Sequence, residues 1–153
     1  MKLSDNLSLA EVIKSSTAIK HGIDNKPTDE HLRNLEAIAQ DVFQHVRENF
    51  GKPIYVSSDY RSEAINERIG GSKTSQHSKG QALDLDAHVY GGLTNAELFA
   101  YIAEWIVFDQ LIWEFGDGTE PDWIHVSYIK EGKNRGQKLA AYKKNGKTKY
   151  KNI

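Results

Sequence analysis

The sequence of 153 residues contains no cysteine and no run of about 18 apolar residues. The first absence excludes a disulfide framework, thiolate zinc fingers, iron–sulfur ligation and a cysteine nucleophile. The second excludes a transmembrane helix. The first six residues of the chain, Met1 to Asn6, contain one lysine, and no apolar stretch follows it. We therefore expect synthesis in the cytoplasm without a signal peptide, and no transmembrane segment.

The length fits a single domain covering residues 1–153, since domains commonly have about 100–200 residues. Hydrophobic residues make up 39% of the chain and aromatic residues 10%, which is enough for a core without cross-links. We expect one folded, monomeric domain.

Positive charge is concentrated at the C-terminal end, although the net charge is only −1. Residues 130–153 contain nine Lys and Arg against one acid, which leaves eleven basic and twenty acidic residues before them. Such a segment is suited to binding nucleic acid, an anionic wall polymer or a membrane surface, but a basic face that is simply solvated is the simpler interpretation. We expect no nucleic-acid partner, because neither an RNA-binding aromatic signature nor a recognition-helix pattern is present.

Capping signals and apolar spacing predict three main helices. Ser8 and Glu11 form a capping box before a helix from Leu9 to about Lys20. Thr28 precedes a longer helix whose apolar residues recur every three or four positions up to Phe50. Thr94 and Glu97 form a second capping box before a helix ending near Ile106. A shorter helix is expected over residues 62–69, with His31 and His45 on the polar side of the long helix.

Strands are expected mainly in the second half of the chain. The predicted segments are Ile54 to Val56, Ala82 to Asp86, Gln110 to Phe115 and Trp123 to Tyr128, the last two as an antiparallel hairpin. Asn145-Gly146 lies between two alternating runs and predicts a basic hairpin over about residues 138–153. Helices followed by strands indicate an α+β fold, with N-terminal helices packed on an antiparallel sheet.

Three side chains form a candidate metal site. In the strand at 82–86, the period of two places Asp84 on the face opposite Leu83 and Leu85. His125 lies inside another strand, and His77 lies in a polar loop seven residues before Asp84. Two imidazoles and one carboxylate suit a catalytic zinc with an open position for water. Taken alone, His-x6-Asp is a loose pattern, and a surface acid with two ordinary histidines explains the spacing equally well.

A wider set of motifs resembles the zinc-dependent D-Ala-D-Ala carboxypeptidase family of metallopeptidases. The matching segments are Ser57 to Ser62, Asn66, Gly70 to Ser72, Ser75 to Asp84, and Asp122 to Tyr128. The Ser-x-His-x6-Asp motif together with acid-x-x-His is the specific part. The resemblance is closest to small single-domain bacterial and phage members. It implies the fold shared with the zinc-binding hedgehog domain, peptidoglycan peptides as substrate, and Zn²⁺ held by His77, Asp84 and His125.

The same resemblance assigns further roles. Asp122 takes the position of the general base, which would accept a proton from the zinc-bound water and pass it to the leaving amine. Many relatives have Glu at this position, and the side chain of Asp is shorter by one methylene group. Glu114, on the preceding strand, is therefore the alternative base. Arg61 takes the position that polarises the scissile carbonyl or binds substrate. Ser75 matches a substrate-contacting position, although a loop serine that solvates its own backbone is nearly as good an interpretation.

The implied activity is hydrolysis of an amide in peptidoglycan stem peptides or cross-links, by a zinc-bound water. A D,D-carboxypeptidase, a D,D-endopeptidase and an L-Ala/D-Glu endopeptidase all remain open. A catalytically silent, zinc-stabilised wall-binding module is the alternative. Without an export signal, such an enzyme would reach the wall when released, as a phage or prophage lysin does, and the basic C-terminus would contact anionic wall polymers. A virion component and a cytoplasmic enzyme acting on recycled muropeptides are equally open alternatives.

Overall fold

The computed structural model describes residues 1–57 and 59–153, and its centre is a six-stranded mixed sheet in the order β3-β4-β6-β5-β7-β8. The strands of this sheet are β3 (Tyr55–Ser57), β4 (Ala82–Asp86), β5 (Gln110–Glu114), β6 (Trp123–Ser127), β7 (Gln137–Lys144) and β8 (Lys147–Asn152). Two short strands, β1 (Lys2–Ser4) and β2 (Leu7–Ser8), form a separate antiparallel pair that was not expected from the sequence. The α+β class expected from the sequence is confirmed.

The helices in the described ranges are α1 (Leu9–Val12), α2 (Ser16–His21), α3 (Asp29–Ile38), α4 (Gln44–Phe50), α5 (Glu63–Arg68) and α6 (Asn95–Trp105). Of these, α3 packs on β4 and α6 packs on β5 and β6, at the core face of the large sheet. A π-helical turn, Ala39–Phe43, joins α3 to α4, so the long predicted helix is continuous. Both capping boxes are present, with Ser8 and Glu11 at α1 and Thr94 and Glu97 at α6. None of the helices in the described ranges is long and apolar enough to cross a membrane.

The prediction of one helix from Leu9 to Lys20 is wrong, because the helix is interrupted between α1 and α2. The carbonyls of Val12 and Ile13 accept hydrogen bonds from Tyr60 N at 2.9 Å and Asn25 Nδ2 at 2.7 Å. Ser15 then caps α2 by accepting from Ala18 N at 3.1 Å. Tertiary partners therefore replace the helical hydrogen bonds that local propensity predicts.

The expected antiparallel sheet is a mixed sheet, because β7 pairs parallel with β5. The predicted antiparallel pairing of β5 with β6 is present, and so is the hairpin of β7 and β8 around Asn145-Gly146. Asp109, directly before β5, fixes the parallel strand: its carboxylate accepts from Arg135 Nη2 at 2.7 Å and Arg135 Nε at 3.0 Å. This pairing adds the C-terminal hairpin to the end of the sheet beyond β5, with β8 as the edge strand.

The hydrophobic core lies between the helices and one face of the sheet. Leu83 and Leu85 of β4 and Ile124 and Val126 of β6 are fully buried there, together with apolar residues of α3, α4 and α6. Since successive strand residues point to opposite faces, Asp84 and His125 project from the other face. The core thus determines which side of the sheet carries the polar residues.

Candidate metal centre and active site

Three side chains predicted as metal ligands converge on the open face of the sheet. Asp84 on β4 and His125 on β6 are direct register partners, and His77 lies in a 3₁₀ turn, Gln76–Lys79, above them. His125 Nδ1 lies 3.0 Å from Asp84 Oδ1 and 3.2 Å from His77 Nε2, and His77 Nε2 lies 3.4 Å from Asp84 Oδ1. One ligand atom from each residue therefore points to a common centre.

The backbone of Asp59 orients His77. His77 Nδ1 lies 2.6 Å from the Asp59 carbonyl oxygen, which can only accept, so this nitrogen carries the proton. The lone pair of Nε2 then faces Asp84 and His125. Imidazole nitrogen and carboxylate oxygen are ordinary zinc ligands, and electron-pair donors this close together fit a shared cation. The residues present therefore fit a divalent metal.

The turn that carries His77 depends on Gly80. Gly80 adopts φ +70°, and a Cβ there would lie 2.5 Å from the carbonyl oxygen of His31 on α3. Gly80 N and Arg61 N lie within hydrogen-bonding distance of the His77 carbonyl, at 3.4 Å and 3.3 Å. Close packing of the turn on α3 thus sets the position of His77 in the site.

Two neighbouring carboxyl groups, that of the buried Asp59 and that of the half-buried Asp84, have opposite shifts of pKa. Burial raises the pKa of Asp59 well above its usual range, and the nearby Asp84 carboxylate raises it further. Burial also opposes ionisation of Asp84, but its electrostatic interactions and hydrogen bonds with His77 and His125 hold its pKa well below the usual range. Asp84 is therefore ionised and able to ligate. Asp59 Oδ1 accepts a 2.6 Å hydrogen bond from Asp84 N and supports that strand.

The three residues open into a cavity of about 590 Å³. Arg61 and Ser75, both expected to contact substrate, lie on its wall, and Arg61 Nη2 is 3.5 Å from Ser75 Oγ. Arg61 Nε is buried and has no hydrogen-bond partner within residues 1–57 and 59–153. As a side chain of the cavity wall, the guanidinium group of Arg61 is suited to donate to an oxygen of a bound ligand.

The two candidate bases lie in different places. Glu114, at the end of β5, is 8% exposed and lines the cavity with His77, Asp84 and His125. Burial raises the pKa of Glu114 to about 7, with a further increase from Asp84 and an opposing effect of His125. Asp122 is exposed, and it is not among the described residues that line the cavity.

The backbone explains the position of Asp122. Its N–H donates to the Glu114 carbonyl at 2.9 Å, and its carbonyl accepts from Asn95 Nδ2 at 3.0 Å. The next residues enter β6, where Trp123 and His125 face the cavity side. Strand alternation therefore directs Asp122 away from the face on which His125 lies.

Sequence reasoning did not single out Asp59 or the hairpin residues of the cavity wall. Asp59 lies three residues after the predicted strand segment and two residues before Arg61, but no pattern distinguishes a buried acid there from a solvated one. The cavity side chains from β7 and β8 are Leu139, Lys143, Thr148 and Tyr150. Their contribution depends on the parallel pairing with β5, which has no local signal.

Comparison with known proteins gives an independent assignment. A family model described as peptidase M15 matches residues 5–127, which include all three converging residues and end with β6. A search of curated proteins found no match. Because the match extends over most of the sequence, the chain belongs to the peptidase M15 family.

Proposed function

We propose that the protein is a zinc peptidase that hydrolyses an amide bond in peptidoglycan stem peptides or their cross-links. The observation that carries this proposal is the convergence of His77, Asp84 and His125 in one cavity of a chain of the M15 family. The resemblance in the motifs around Ser75 to Asp84 and Asp122 to Tyr128 supports the substrate class. The sequence alone leaves the cleaved bond open between carboxypeptidase and endopeptidase positions.

The three converging residues would hold the zinc ion. When bound, zinc acts as a Lewis acid that activates water and polarises a carbonyl. Asp59 keeps the His77 ring oriented through its carbonyl, and its carboxylate holds the backbone N–H of Asp84. Arg61 can donate to the oxygen of the scissile carbonyl, where negative charge develops during attack.

The proposed proton acceptor is a carboxylate, and the placement of the side chains favours Glu114 over Asp122. Glu114 lines the same cavity as the ligand set, whereas Asp122 is exposed outside it. An ionised Glu114 can take a proton from the attacking water at its carboxylate and give it to the leaving amine. A base must lie within hydrogen-bond reach of the proton it removes, and Glu114 shares the cavity with the three ligand candidates.

Digestion of purified peptidoglycan, with and without a chelator, tests the proposal directly. We expect new peptide termini in the untreated sample, none after chelation, and recovery on addition of zinc. Mass spectrometry of the termini identifies the bond that is cut. Zinc binding without any cleavage would favour the wall-binding module instead.

Close packing at Gly80 gives a second prediction. Gly80→Ala should lower the free energy of unfolding by more than about 2 kcal/mol, because left-handed backbone costs alanine about 1–2 kcal/mol and the Cβ also collides with His31 O. Gly91→Ala is the matched control, with φ +72° and no atom within 4 Å of the added Cβ. Denaturant unfolding and zinc content should show a larger loss for Gly80→Ala. Equal losses would contradict the role of close packing.

The exposed lysines of the β7–β8 hairpin are proposed to hold the enzyme on anionic wall polymer. Changing Lys144, Lys147 and Lys149 to Glu should weaken binding to sacculi at low salt, because exposed charges interact over about 10 Å at 0.1 M salt. Hydrolysis of a small soluble peptide should be retained. Lys14, Lys20 and Lys26, also exposed, are the matched control for the same change of net charge. If both triple variants bind equally, the hairpin lysines are simply solvated.

A further inference from the structure

The hairpin of β7 and β8 forms one wall of the candidate active-site cavity, although it lies beyond the range matched by the family model. Its pairing with β5 places Leu139 opposite Ile112 and Ala141 opposite Glu114. Alternation then directs Leu139 and Lys143 of β7 toward the cavity, with Thr148 and Tyr150 of β8 beside them. The hairpin therefore adds surface to the site.

Lys143 is the cation of this wall. Its Nζ donates to Thr148 Oγ1 at 2.9 Å and lies 5.3 Å from the centre of the Phe115 ring. These contacts hold the ammonium group at the edge of the cavity. Within the described part of the chain, no carboxylate lies within ion-pair distance of it, whereas Lys130 and Arg135 both have acidic partners.

The other side chains of the cavity restrict the group that Lys143 can bind. Asp84 faces the two histidines, and Glu114 lies in the same cavity. In the proposed function, Asp84 is a metal ligand and Glu114 is the proton acceptor, so neither acid is left to pair with Lys143. Arg61 lines the same cavity and has an unpartnered Nε. Two cations, one from the family-matched part and one from the hairpin, therefore line the cavity in which the peptide would bind.

We propose that Lys143 binds a carboxylate of the peptide substrate, so that the C-terminal hairpin gives the enzyme a preference for anionic peptides. This inference rests on the proposed peptidase function. An ammonium–carboxylate hydrogen bond is stronger than a neutral one, and Thr148 already orients the ammonium group for it. The carboxylate is either the free C-terminus of the peptide or an acidic group along its length.

Three synthetic peptides separate these sources. The first is diacetyl-L-Lys-D-Ala-D-Ala, with only a C-terminal carboxylate; the second is its C-terminal amide, with none. The third is acetyl-L-Ala-γ-D-Glu-L-Lys(acetyl)-D-Ala-D-Ala amide, whose only carboxylate is on Glu. KM is measured on the zinc-loaded full chain, and Kd by calorimetry on the chelator-treated chain. Lys143→Met keeps an unbranched aliphatic side chain but removes the ammonium group, and Lys26→Met, at an exposed lysine outside the hairpin, is the matched control.

Lys143→Met should weaken binding of one carboxylate-bearing peptide about tenfold, with little change in kcat, since one charge-assisted hydrogen bond is lost. Binding of the amide without a carboxylate should be unaffected, and Lys26→Met should change the binding of none of the three peptides. The peptide that responds identifies the source of the carboxylate. Equal effects on all three peptides, or none, would overturn the inference even if hydrolysis proceeds. A Lys143-dependent Kd without hydrolysis would support it while contradicting the proposed peptidase function.

Discussion

Changing His125 to Ala is expected to remove zinc from the purified protein and to reduce peptide hydrolysis to the rate of the chelator-treated enzyme. His125 is the ligand candidate closest to both others, at 3.0 Å from Asp84 Oδ1 and 3.2 Å from His77 Nε2. Loss of a group that only supports a ligand commonly costs 10–100-fold in metal affinity, so loss of the ligand should cost at least about 100-fold. Metal analysis and kcat/KM on the same preparation measure both effects.

The matched control is His45→Ala, because His45 is exposed on the helical side of the molecule. It should keep one equivalent of zinc and full activity. His77→Ala and Asp84→Ala should behave like His125→Ala, with the fold checked by circular dichroism. Full zinc content in all three folded variants would contradict the proposed centre.

The geometry of this centre was largely predictable, because it depends on strand alternation. Leu83 and Leu85 must face the core, which leaves Asp84 on the opposite face, and the same argument applies to His125 between Ile124 and Val126. The sequence could not supply the register, but once β4 and β6 are neighbours the apolar faces must coincide. This condition still allows shifts by two residues, and the observed register makes Asp84 and His125 direct partners.

Features determined by long-range contacts were not predictable. The first helix breaks because Asn25 and Tyr60, distant in sequence, bind the carbonyls that would continue it. The parallel pairing of β7 with β5 depends on Asp109 holding Arg135, a contact between residues 26 positions apart. Neither contact leaves a periodic pattern, and propensity alone favours the simpler local structure.

The two candidate bases illustrate the difference between motif position and strand geometry. The spacing of Asp122 before His125 matches a family position, and that similarity assigned it the role of base. Alternation along β5 instead groups Glu114 with Ile112 and Gln110, all three on the cavity wall. Strand alternation thus gives a reason to test Glu114, which motif spacing alone ranks second.

Glu114→Gln is expected to lower kcat/KM by about 10²–10⁴-fold, the usual contribution of general acid–base catalysis, while zinc and fold are kept. Glutamine preserves the size of the side chain but cannot accept the proton. Asp122→Asn should retain most of the activity, because that carboxylate lies outside the cavity. The expectation from motif position is the reverse, so the pair of variants separates the two assignments.

The pH dependence of the wild-type enzyme provides an independent measurement. Burial and Asp84 raise the pKa of Glu114 to about 7, and protonation removes its ability to accept a proton. The rate should therefore fall as the pH decreases through this pKa. A cation held nearby favours the ionised carboxylate, which lowers the pKa of Glu114 and moves this decrease in rate to lower pH. Asp122→Asn should keep this acid limb, whereas the residual activity of Glu114→Gln should lose it. An active Glu114→Gln enzyme with an unchanged acid limb, beside an inactive Asp122→Asn enzyme that still binds zinc, would assign the base to Asp122.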